Sequence, residues 1–105
     1  MVAVKTEVKN SMTQAIFSEL LDQCFTARTL SGESIELQLV EVKPLRASEG
    51  SPNQEPYSLL FRGPADSSLS QQTFRLQHEV AGTFSLFLTR VMGQGEGSFF
   101  EAIFN

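Results

Sequence analysis

Apolar and polar residues alternate one for one through much of the last third of the chain, the spacing of half-buried β-strands. Thr73-Phe74-Arg75-Leu76-Gln77-His78-Glu79 shows it first, with Phe74 and Leu76 in one phase. Ala81-Gly82 is a gap of hairpin length, and Phe84-Ser85-Leu86-Phe87-Leu88-Thr89 resumes the alternation. Gly93-Gln94-Gly95-Glu96-Gly97 then turns the chain into Ser98-Phe99-Phe100-Glu101-Ala102-Ile103-Phe104, which reads as core strand rather than tail.

The first half mixes two periods. Ser11-Met12-Thr13-Gln14 has the form of a capping box. Ile16, Phe17, Leu20, Leu21 and Cys24 follow as one helical stripe, predicting a helix over about 12–23. Phe25 to Leu30 is a strand candidate, and Ser31-Gly32-Glu33 a tight turn. Ser34 to Val42 is a longer strand whose apolar phase runs 35, 37, 39 and then shifts to 40, 42. A bulge at Leu39-Val40 accounts for the shift, and bent sheets need one to curve. Lys43 to Pro56 holds three of the four prolines and reads as an irregular, mobile or recognition loop. Tyr57 to Arg62 is the next strand, ended by Gly63-Pro64.

The sum is a mainly β protein: a small, strongly bent antiparallel sheet of about six strands with one N-terminal helix. The sheet is barrel-like or a two-layer sandwich, and the helix plugs an open end or packs on one face. Residues 1–10 form an N-terminal arm, and 11–105 a single domain. With Val2, Val4 and Val8 β-branched, residues 1–9 are expected to pair with a sheet edge of their own or a neighbouring subunit.

Composition changes this picture in three ways. Nine Phe and no Trp make phenylalanine the main filler of the core. Charged residues are only 19%, which leaves room for a face covered by a partner. A formal charge of −4 gives no pull toward nucleic acid or an anionic membrane. The single cysteine, Cys24, excludes an internal disulfide and reads as a small buried hydrophobe. With no signal-like start and no long apolar run, a cytoplasmic location is the default expectation.

Candidate chemistry is sparse. His78 is the only histidine, in phase with Phe74 and Leu76 at a strand end, and reads as a rim histidine hydrogen-bonded to backbone. A hydrolytic triad would need a nucleophile elbow, and no Gly-x-Ser-x-Gly is present. The 93–97 glycines lead into a strand, so they form a flexible hairpin loop rather than a phosphate loop. Acidic residues on strands mark the wet face. No catalytic, cofactor-binding or metal-binding residue is assigned, and the chain is read as not an enzyme. Arg62 and Arg75 oppose Phe61 and Phe74 and can bridge to Glu36, Glu79 or Glu101, or dock a partner's carboxylates. Leu60 and Phe87 put large apolar groups on polar faces, where the helix can cover one and a partner the other.

Ser58-Leu59-Leu60-Phe61-Arg62-Gly63-Pro64, Gln72 to His78, Gly82 with Leu86-Phe87-Leu88, and Glu101 to Asn105 carry a resemblance. They are similar to a small bacterial domain family of unknown function with the progression LLFRGP, TYRLEH, LFL, YEAVFN after an FxxLLGxxF helix. Asp22 stands where that family usually carries Gly. The resemblance spans about 13–105 and implies a structural or assembly partner of the phage-tail-collar kind rather than a substrate. The expected function is thus a non-enzymatic structural or protein-interaction module, a partner protein or a second copy supplying the contact. The alternative is a small-ligand-binding β-barrel with a mouth ringed by His78, Tyr57 and the 43–56 loop.

Overall fold

The computed structural model describes residues 14–45, 56–93 and 95–104. Helix α1 (Gln14–Glu19) leads into six strands: β1 (Cys24–Arg28), β2 (Ser34–Pro44), β3 (Tyr57–Gly63), β4 (Gln72–His78), β5 (Gly82–Val91) and β6 (Ser98–Phe104). Neighbours pair antiparallel and close a barrel in the order β1-β2-β3-β6-β5-β4. Closure decides between the two architectures that the alternation permits. The bulge falls where the apolar phase shifts: Leu39 lies opposite Phe61 and Glu41 opposite Leu60, leaving Val40 unpaired.

Alternation sends one phase of every strand inward. Phe25, Leu37, Leu39, Leu59, Phe61, Phe74, Leu76, Leu88 and Phe100 are completely buried. A six-stranded wall encloses little more than side chains can fill, so the interior is packed hydrocarbon and aromatic ring. At one end α1 inserts Phe17, whose ring lies 6.0 Å from that of Phe84 and 5.9 Å from that of Phe104. Tyr57 stacks on Phe104 at 4.6 Å. The helix therefore plugs an open end.

Arg90 closes the other end. It continues the inward phase of Phe84, Leu86 and Leu88, and its guanidinium lies 5.2 Å from the Phe100 ring centroid. It donates to the carbonyls of Leu69 and Ser67, pinning the β3–β4 connection across the barrel mouth. The cation rests on an aromatic face while its N–H groups are satisfied by backbone.

Three expectations require correction. The helix ends at Glu19 rather than near 23, because Asp22 adopts a left-handed φ of 72° and its N–H donates to Leu39 O. Cys24 consequently belongs to β1 and faces outward, exposed, where a helical stripe would have buried it. Ile16 and Leu21 are likewise partly exposed, leaving Phe17 and Leu20 as the buried residues of the stripe. Nor is 43–56 irregular throughout: Lys43 and Pro44 pair with Ser58 and Tyr57, and Leu45 N–H donates to Pro56 O. Pro44 is tolerated at the strand's last position, where a missing donor costs least. The arm, the capping box through Thr13 and the 46–55 loop tip lie outside the described residues.

Candidate functional site

The outward phases of β1, β4 and β5 form one continuous face. Arg75 sits directly opposite Arg28 on β1 and opposite Ser85 on β5. One pair further along, Thr73 faces Phe87, so Phe87 is diagonal to Arg75. Phe87 is 56% exposed, with a large apolar ring on the solvent side of the wall. Like charges directly opposite on a sheet are destabilising, and among the described residues neither arginine has an ion-pair partner. Among the described residues the expected bridges to Glu36, Glu79 or Glu101 do not form, and register places other groups across from Glu36 and Glu101. Glu36 accepts from Thr26 Oγ1 at 3.1 Å, and Glu101 lies between Leu60 and Thr89.

Beyond Phe87 the wall is incomplete. β5 and β6 pair at Thr89↔Glu101, Arg90↔Phe100 and Val91↔Phe99. Below that level both strands continue, but among the described residues Gly82 to Leu88 of β5 pair with β4 alone and Ala102 to Phe104 of β6 with β3 alone. Phe17 occupies the inside of this wedge, between Phe84 and Phe104. On the outside, Phe87 stands on one flank and Ile103, 57% exposed, on the other. The helix covers neither.

The remaining candidates lie elsewhere. Arg62 is exposed on β3 opposite Gln38 and Phe99, away from the Arg75 face. Its stem runs beneath Gly97, and Gly93 lies so close to the Phe99 ring that a Cβ there would fall 2.3 Å from it. Glycines at 93 and 97 thus let the loop lie down on the outer wall. This accounts for Phe99 being buried although it points outward.

His78 and Tyr57 share the helix end of the barrel. His78 Nδ1 accepts from the Val80 and Ala81 N–H groups at 3.0 and 3.1 Å, which places the ring proton on Nε2, donating to Gln23 Oε1 at 2.6 Å. This is the rim histidine that the sequence suggests. Phe25 lies 4.8 Å from it, and Phe25, Phe84 and Phe17 continue the line of rings to Tyr57. The space between His78 and Tyr57 is therefore aromatic filling. Burial pushes the Tyr57 hydroxyl up to about 12 by desolvating its anion. An open polar hollow of about 250 Å³ lies outside the wall beside His78, lined by Thr26, Gln77, His78, Glu79 and Thr83. Among the described residues no group of three or more His, Cys, Asp or Glu is placed to hold a metal, and no helix is long and apolar enough to cross a membrane.

Three contributors were not singled out by sequence reading: Ile103, read there as part of a core strand, Arg28 and Arg90. Arg28 becomes significant only once β1 is paired with β4, a contact between distant segments. Arg90 did carry a local signal, since it extends an inward apolar phase and so must cap or pair. No curated protein and no solved structure matches the chain. Residues 12–104 match the model of a domain of unknown function, DUF6916, and the chain belongs to that family.

Proposed function

We propose that this protein is a non-enzymatic interaction module that binds a partner protein, or a second copy of itself, through the face formed by Phe87, Ile103, Arg75 and Arg28. The observation that carries the reading is the pairing of two exposed apolar anchors with two arginines that lack a counter-charge among the described residues. Aromatic residues and arginine are enriched among interface anchors. What favours a surface role over an interior ligand is the filled barrel: Phe17 plugs one end, Arg90 and Leu69 close the other, and the core positions between them are buried. A phage-tail-like assembly, the partner class implied by the family resemblance, is the finer part of the proposal.

A photoreactive residue at position 87, introduced in the cell that makes the protein, tests it. Position 87 should give a discrete adduct that Arg75→Glu abolishes, while the same group at Lys43, exposed on β2, should give none. An adduct of twice the chain's mass would assign the face to a second copy. Equal labelling at both positions, or none at 87, would remove the reading.

A further inference from the structure

We infer that the edge of β5 over Thr83–Phe87, unpaired among the described residues, accepts an extended, acidic segment of a partner protein by strand addition. This rests on the interaction-module reading and deepens it. The first ground is the edge itself. Among the described residues β5 is paired on one side from Gly82 to Leu88, but on the other only from Thr89 to Val91. Backbone donors and acceptors on that open side are a template for another strand. Exposed edges are ordinarily defended by lysine, proline or a bulge, yet Thr83-Phe84-Ser85-Leu86-Phe87 contains no charge and no proline.

The second ground is what flanks the edge. Phe87 and Ile103 point outward on its two sides and offer apolar contact to alternate side chains of an incoming strand. The third is charge. Arg75 lies one strand in from the edge, with only the small Ser85 between, and Arg28 stands behind it. A carboxylate on the incoming strand beside Ser85 would supply the missing counter-charge and relieve the repulsion between the arginines. An acidic strand complements the two arginines better than one with the composition of residues 1–9, which carry Lys5 and Lys9 against Glu7. Charge weighs against a second copy too, because that would bring another pair of arginines to the same face.

The probe is a capped octapeptide alternating valine and aspartate, titrated into the ¹⁵N-labelled full-length chain. Controls are a lysine-for-aspartate peptide and one interrupted by proline. Amide shifts and slowed exchange should centre on residues 83–87 and 102–104. Arg75→Glu should weaken binding by about tenfold or more, the scale of one charge-assisted hydrogen bond. Phe87→Ser should weaken it too, with the free variant's spectrum certifying its fold. Equal binding of the lysine or proline peptide, or no binding at millimolar concentration, would overturn strand addition. So would amides at 83–87 that are protected in the free chain and lose protection when it starts at Asn10. If the peptide fails while the cross-link at position 87 persists, strand addition alone falls; if both fail, so does the interaction reading.

Discussion

Two seams of the barrel are short, and they are finished differently. β1 and β4 pair only at Thr26↔Gln77, Ala27↔Leu76 and Arg28↔Arg75. The seam is short because β1 itself is short, and side chains extend it: His78 reaches Gln23, and Phe25 lies against the His78 ring. β5 and β6 also pair at three positions, but there both strands run on past the last pair. Phe17 fills that wedge from inside, and among the described residues no polar side chain bridges it from outside. By contrast, β6 is paired along its whole length with β3, from Ser98↔Gly63 to Phe104↔Tyr57. A barrel that staples one weak seam and leaves the other unstapled, with exposed phenylalanine and isoleucine beside it, concentrates its unmet bonding capacity in one place.

The largest expected effect comes from the wedge. Phe17→Ala should cost about 3–5 kcal/mol in a denaturant titration, because it empties a fully buried ring from between β5 and β6. A loss below about 1 kcal/mol would mean that the seam holds itself together without the plug. Next is the seal of the helix end, reported by Tyr57. Its folded pKa lies near 12 against 10.0 for an exposed tyrosine. The neutral form is thus favoured in the fold, and the associated stability is fully present below pH 10. It should be lost as pH rises from about 10 through about 12. Tyr57→Phe should remove this alkaline limb when the two proteins are compared at each pH.

Stapled and unstapled seams can then be compared directly. His78→Ala removes the bond to Gln23 and two acceptor contacts to backbone, and should cost about 1–3 kcal/mol. Phe87→Ser, on the open seam, should change stability by no more than about 0.5 kcal/mol. Equal costs would erase the distinction. The smallest effect is local: Asp22→Gly, at a left-handed φ of 72°, should stabilise by about 0.5–1 kcal/mol. A thermal melt with no gain would show that Asp22 is already relaxed there.

Much of this architecture was legible from alternation alone. The six strands and the bulge after Leu39 follow from local phase, whereas the helix could equally have packed on one face until the Phe17 ring contacts placed it at an end. Closure does not follow from phase either, because it is made where β1 meets β4 and β5 meets β6, contacts that no local pattern encodes. The helix was overextended because Leu20, Leu21 and Cys24 fit a helical stripe, while Asp22 breaks it by adopting a backbone conformation usually reserved for glycine. The glycine usual at this position in the similar family was the available clue. On the candidate face, Phe87 and Arg75 could be picked out by phase and composition. That they are diagonal neighbours, and that Arg28 rather than a glutamate faces Arg75, required the register.

Native-state hydrogen exchange on the free full-length chain, resolved residue by residue, tests the central claim that the β5–β6 seam is the open one. Amides of Thr83–Leu88 that point away from β4, and those of Ala102–Phe104 that point away from β3, should exchange through local opening, far faster than amides along the β3–β6 pairing. Uniform protection across both sides of β6 would contradict the account.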